Sequence, residues 1–187
     1  MTHRQQHMPV RAPYSIAIAR PDQYEAVGEL LVHTYSTLTG MPQIIDQPEY
    51  YARLRAVGAR AANTAITVYV ALSTGGDLLG SVDFIDSMDQ YGSGGRATSV
   101  ADAAGIRLLA VAQAHRGRGI GKQLTRVCIE RAAVLGKSQV ILHTTRAMGT
   151  AWAMYERLGF ARSEDLDFMQ GDLEVYGFRL RLAQRQR

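Results

Sequence analysis

The feature that most restricts what this chain can fold into is the junction between residues 105 and 136. An apolar run, "GIRLLAV", gives way to "RGRGIG", Arg116 to Gly121, and then to "GKQLTRVCIERAAVLG", whose apolar residues recur at helical spacing. Three alternate glycines, Gly117, Gly119 and Gly121, and two arginines, Arg116 and Arg118, thus stand where a strand turns into a helix. The first N–H groups of a helix lack partners within it, and its dipole puts partial positive charge at that end. Glycines let the backbone wrap an anion without side-chain clash, and arginines add charge. The segment reads as an anion site on a strand-loop-helix unit.

Two nucleotide motifs fail on it. A P-loop requires glycine where Arg116 stands and Ser or Thr where Gln123 stands. A dinucleotide fingerprint begun at Gly117 requires glycine at Lys122, and one begun at Gly119 requires it at Leu124.

The remaining sequence is that of one globular domain. The 187 residues are 47% hydrophobic and 20% charged, enough to bury a full core. No apolar run approaches the roughly 20 residues that span a bilayer, and "MTHRQQHMPVRAPYS" lacks the apolar stretch of a secretory signal. A cytoplasmic location is expected, with no membrane partner. The single Cys128 forms no internal disulfide, and no Cys or His cluster has metal-ligand spacing, so no metal is expected. The net charge of +4 favours anionic ligands. Basic residues are dispersed except in the tail "RLRLAQRQR", which reads as a solvated end, so nucleic acid is a disfavoured partner.

Residues 1–13 read as a disordered arm and 14–187 as a single domain. "YSIAIAR" alternates as a strand, and Pro21 and Asp22 open a helix through "DQYEAVGELLVHTYSTL" with Tyr24, Val27, Leu31 and Tyr35 on one face. "PEYYARLRAVGARAA" reads as one further helix. "TAITVYVAL" and "LLGSVDFID" flank the turn residues "STGGD" and read as an antiparallel hairpin. A polar, glycine-rich connection over 86–103 leads to a strand (106–111), a helix (119–135), the strand "QVILHTT", a helix (149–158) and a final β-rich portion. This order predicts an α/β domain with a mixed, mostly antiparallel sheet and helices on both faces.

Arg116, Gly119 and Gly121 satisfy R-x-x-G-x-G directly after "LLAV", and "AWAMYERLGF" follows at residues 151–160. Both stretches resemble signatures of the GCN5-related N-acetyltransferases, the first being that family's acetyl-CoA pyrophosphate motif. The resemblance covers residues 105–160; upstream it extends only to the order of elements. It implies an acetyl-CoA-dependent N-acetyltransferase acting on a primary amine. The pantetheine arm would pair with the backbone of Leu109, Ala110 and Val111, and the pyrophosphate would rest on Arg116, Gly117, Arg118, Gly119, Ile120, Gly121 and Lys122. Tyr155 matches the family's tyrosine and would protonate the departing thiolate, while its alternative role is packing beneath "GF", with Gly159 as helix C-cap.

The chain departs from the family at two positions. Met148 replaces a frequent asparagine and Gly105 a frequent glutamate, with Asp102 nearby, so no base is assigned. His143 on "QVILHTT", Cys128 and Trp152 read as structural, and Asp83 and Asp86 as either amine-attracting or solvated charges. Acetyl-CoA is the expected cosubstrate. A small-molecule amine is favoured over a protein as acceptor, and a homodimer is compatible with the sequence. Two other readings stay open: an acyl-CoA-binding sensor without turnover, and a basic nucleic-acid-binding module.

Overall fold

Runs of β-branched residues build the central strands, and apolar residues at three- and four-residue spacing build the helices that cover them. The computed structural model describes residues 13–183, so the arm expected over 1–13 lies outside the described residues apart from Pro13. The chain runs β1 (Tyr14–Ile18), α1 (Tyr24–Ser36), α2 (Pro48–Arg55), α3 (Val57–Ala61), β2 (Ile66–Ser73), β3 (Leu78–Ile85) and β4 (Ala103–Val111). It continues through α4 (Ile120–Val134), β5 (Gln139–Thr144), α5 (Gly149–Arg157), β6 (Ala161–Arg162), β7 (Phe168–Gln170) and β8 (Leu173–Arg181).

The strands form an eight-stranded sheet in the order β1-β2-β3-β4-β5-β8-β6, with β7 pairing β8 off this path. Every pairing is antiparallel except β4 with β5, which is parallel and uses α4 as its crossover. Helices cover both faces. On one, Ile120, Leu124, Cys128 and Ala132 of α4 pack on Val82, Phe84, Ile106 and Leu142. On the other, Val27, Leu31 and Tyr35 of α1 join Tyr51, Leu54 and Val57 over Val68, Val70 and Ala110. The predicted mixed, two-faced α/β architecture is therefore the observed one.

Three details differ from the sequence reading. The helix expected over 48–62 is two helices, because Ala56 at φ −74° and ψ 51° leaves the helical region between them. The break turns α3 so that Arg60 reaches Asp83 on β3, a demand invisible in local periodicity. β4 begins at Ala103 rather than Ile106, since Ala103, Ala104 and Gly105 pair with Gln139, Val140 and Ile141. Third, Leu135, whose spacing reads it onto one apolar face with Ile120, Leu124, Val127 and Cys128, is 38% exposed as the C-cap of α4. The polar 86–103 connection is pinned to the sheet: Met88, Tyr91 and Ala97 are buried with Ile85 and Ile141.

Candidate active site

The parallel β4–β5 pairing runs from Ala103 opposite Gln139 to Ile106 opposite Leu142 and then stops, although both strands continue. The cause lies on the other edge of β4. Opposite β3, Asp83 pairs with Arg107 and Ser81 with Ala110, so β4 spends three steps where β3 spends two. The extra residue is a β-bulge, and Leu108 within it has φ +52°, a left-handed conformation costing a branched side chain about 1–3 kcal/mol. The bulge swings Arg107–Val111 away from β5 and opens a wedge. Unpaired carbonyls on this stretch find side chains instead: Leu109 accepts from the Tyr35 hydroxyl at 3.4 Å and Val111 from Arg116 Nε at 3.1 Å.

A cleft of about 580 Å³ fills the wedge. Its floor is Leu109, Ala110 and Val111, and one wall is the loop bearing Arg116, Gly117, Gly119, Ile120, Gly121 and Lys122. The loop has the form an anion needs. Gly117 and Gly119 adopt φ +77° and +80° with no atom within 4 Å of a hypothetical Cβ, so glycine is required there by backbone conformation rather than by space. Gly119 is the N-cap of α4, no side chain caps that end, and the first N–H bonded back is that of Gln123, to the Gly119 carbonyl at 3.0 Å. The N–H groups of Ile120, Gly121 and Lys122 therefore precede the helical hydrogen bonds and stand open at the positive end of the dipole. Gly121 is helical, and its Cβ would lie 3.5 Å from Val111 and 3.6 Å from Met154, two cleft residues. Lys122 joins Arg116 in making this wall basic. Arg118 is the exception among the expected residues: it is exposed and does not line the cleft.

Tyr155 lies at the opposite wall. It is buried, 5% exposed, stacks edge-on to Phe160 with ring centroids 5.9 Å apart, and still lines the cleft. Its two expected roles, packing and proton donation, thus share one geometry. Burial raises the phenol well above its ordinary value, so the hydroxyl keeps its proton at neutral pH. Gly159 at φ +92° closes α5 as expected: its N–H bonds the Glu156 carbonyl and that of Phe160 bonds Tyr155, the two bonds of a Schellman cap.

Residues 26–160 match the family model described as the acetyltransferase (GNAT) family. The chain belongs to the GNAT acetyltransferase family. Among curated proteins, the mouse protein named Probable N-acetyltransferase family 8 member 5 is 40% identical over 55 residues and human N-acetyltransferase 8B is 38% identical over 55. Each match covers 29% of this chain and 24% of the relative, so the similarity spans about a quarter of those proteins. A GNAT-family acetyltransferase from Staphylococcus aureus has the same fold, with a TM-score of 0.70 at 16% identity, covering 91% of this chain and 99% of that one. The protein yncA of Salmonella typhimurium, solved with its cofactor acetyl-CoA, superposes with a TM-score of 0.64 at 19% identity over 93% of this chain and 96% of its own.

Within this GNAT fold the residues around the wedge explain one of the two departures read in the sequence. Gly105 is required because the ring of Tyr91 occupies its Cβ position, at 2.4 Å; a glutamate there would displace the tyrosine. Tyr91 in turn bonds His143 Nδ1 at 2.9 Å, while His143 Nε2 meets the Leu166 carbonyl at 2.9 Å. A carbonyl only accepts, so Nε2 carries the proton and Nδ1 accepts from Tyr91. Burial holds this imidazole below its ordinary value, and it is neutral at pH 7. His143 lines the cleft with both nitrogens engaged, a structural arrangement as expected. Met148 also lines it, at the N-cap of α5.

Asp83 is neither an amine trap nor a solvated charge. It is 2% exposed in mid-sheet and pairs with Arg60 Nε at 2.7 Å, and desolvation raises its carboxyl while Arg60 opposes the rise. Cys128 is fully buried in the α4 core, where burial pushes the thiol up and keeps it inert. Trp152 packs edge-on to Phe178 at 4.9 Å.

Sequence reading missed Thr34, Tyr35, Tyr91 and Arg107. A signal existed only for the last, as the single charge inside the otherwise apolar "GIRLLAV". Among the described residues no group of three or more His, Cys, Asp and Glu is placed to hold a metal, and no helix is long and apolar enough to cross a membrane.

Proposed function

We propose that this GNAT protein transfers the acetyl group of acetyl-CoA directly to a primary amine of a small molecule. The observation that carries the proposal is the continuity of one cleft from the uncapped start of α4, along the unpaired stretch of β4, to the Tyr155 hydroxyl end of α5. The open N–H groups of Ile120, Gly121 and Lys122 suit a pyrophosphate, with Arg116 and Lys122 supplying charge. Backbone of Leu109–Val111, free of β5, suits an extended amide-containing arm. The thioester then lies in the wedge, where a neutral amine attacks its carbonyl carbon, the C–S bond breaks, the thiolate takes the Tyr155 proton, and the cationic nitrogen of the new amide gives up a proton that restores the phenol. The ammonium proton of the acceptor leaves to solvent through the open cleft, since no buried carboxylate faces the wedge. Direct transfer needs no nucleophilic side chain, only orientation and proton management. The fold neighbour solved with acetyl-CoA supports the choice of donor.

Two measurements test this reading. Acetyl-CoA and free CoA should each raise the melting temperature; at a hundred times Kd a ligand of the folded state adds about 2.7 kcal/mol. Release of CoA thiol should then depend on an added amine. Stabilisation without amine-dependent release would identify a binding-only sensor instead.

A further inference from the structure

Four arginines among the described residues are half-buried: Arg60, Arg107, Arg162 and Arg179. Three are neutralised by aspartates, Arg60 by Asp83 at 2.7 Å, Arg162 by Asp167 at 2.6 Å and Arg179 by Asp165 at 2.9 Å. Arg107 has no carboxylate partner, and it is the one that lines the cleft. Asp83, its cross-strand partner, is already bonded to Arg60, so the partly desolvated Arg107 guanidinium is left short of negative charge until something anionic arrives.

Its geometry is that of a prepared receptor. Nη1 donates to the carbonyls of Tyr91 and Gly92, and the guanidinium carbon sits 5.4 Å from the Tyr91 ring centroid. These contacts fix the plane of the group while consuming only Nη1. Nε and Nη2, the edge that holds a carboxylate through two parallel bonds, have no protein partner, and neither is sealed from solvent as Arg60 Nη2 and Arg179 Nε are. The charge acts on Tyr35, Asp83, Tyr91 and His143, which surround it. Around it the cleft offers nothing for a second cation: none of its lining residues is Asp or Glu. Thr34, 7% exposed at the same end, has a buried hydroxyl with no partner.

We propose that Arg107 is the acceptor-recognition residue of the cleft and that the acceptor is an amine bearing a carboxylate, held by the free Nε–Nη2 edge beside the β4 bulge. The inference rests on the acetyl-transfer reading above and names its substrate class. An amino acid fits: its carboxylate neutralises Arg107, its amine points into the wedge, and Leu38, Leu108 and Met148, only partly buried, receive an apolar side chain. A polyamine does not, because its spare ammonium groups would face Arg107 with no carboxylate to meet them.

The test compares L-leucine and L-phenylalanine with their carboxamides, and with spermidine, in the full chain with acetyl-CoA. The carboxamides carry the less basic amine, more often neutral at pH 8, so intrinsic reactivity favours them and any preference for the acids comes from binding. A charge-assisted contact of about 1.5–3 kcal/mol predicts kcat/KM about 10- to 100-fold higher for the acids, expressed in KM. Arg107→Lys should reduce the ratio, since a point charge lacks the fork, and Arg107→Gln should collapse it to under about threefold with the Kd of acetyl-CoA unchanged. Equal or better use of the carboxamides or spermidine by the unaltered protein overturns the proposal while leaving acetyl transfer standing, and needs no variant to fold. Persistence of the ratio in a folded Arg107→Gln protein overturns it equally. Bound acetyl-CoA with no turnover of any amine overturns both readings.

Discussion

At one end the cleft is walled by a single loop and helix start within residues 116–122, whose shape comes from glycines at positive φ and from a helix that starts without a side-chain cap. At the other it is a set of side chains, Thr34, Tyr35, Arg107 and His143, brought together from α1, β4 and β5. The first end depends on local conformation and tolerates change in the rest of the molecule. The second depends on long-range support: Tyr91 orients both Arg107 and His143, and Asp83 and Arg60 fix the strand and helix behind them. Substitutions should therefore separate into those that remove ligand binding from an intact fold and those that weaken the fold around an intact loop.

Tyr155, buried but lining the cleft, gives the largest expected effect. Tyr155→Phe keeps the ring and its contact with Phe160 and should lower kcat about 100- to 10,000-fold under single-turnover conditions, with the Kd of acetyl-CoA within a few fold and the melting temperature nearly unchanged. Near-normal turnover would reduce Tyr155 to packing and leave solvent to protonate the thiolate.

Asp83→Ala probes the long-range side. It leaves Arg60 charged and without its partner, at a cost of about 3–5 kcal/mol, or roughly 6–20 °C in melting temperature for a chain of this size. Calorimetry showing a shift within 2 °C, about 1 kcal/mol or less, would mean the pair contributes little to holding α3 on the sheet.

Gly121→Val probes the local side. Its Cβ has ordinary room in the helix but its methyl groups enter the cleft, so acetyl-CoA affinity should fall more than about tenfold while the ligand-free melting temperature stays within a few degrees. Gly119→Ala gives the contrast: at φ +80° its cost is backbone strain, about 1–2 kcal/mol, and appears without ligand. Matching thermal profiles for the two variants would break the distinction between space and conformation.

The smallest effect is a pH slope. His143 is held neutral, so below the ordinary imidazole value the unfolded chain binds a proton that the folded chain refuses, and stability falls as pH is lowered through that range. His143→Asn should flatten the acidic limb of stability by at most about 1.4 kcal/mol per pH unit, measured by denaturant titration at several pH values. An unchanged limb would assign it to other groups.

What the sequence determined by itself was whatever depends on neighbours in the chain. The glycines after an apolar strand specify a turn into a helix, and Gly117 and Gly119 do take the positive φ that glycine backbone follows, ahead of a helix start without a side-chain cap. The same holds for Gly159 closing α5 and for the turn residues "STGGD" between two apolar runs that made β2 and β3 a hairpin. Tertiary structure decided the rest. Ala56 breaks a stretch that reads as continuous helix because Arg60 is drawn to Asp83, and Asp83 survives burial only through that partner 23 residues away. Arg118 has the composition of an anion ligand but is exposed and off the cleft, since it stands in the bend between two left-handed glycines and the fold of that bend sets which way it points. The wedge itself arises from a bulge at Leu108, a residue with no local preference for φ +52°, imposed by register against β3. Local conformational demands are written in residue types a few positions apart, whereas pairing register and the neutralisation of buried charge are settled only when distant segments meet.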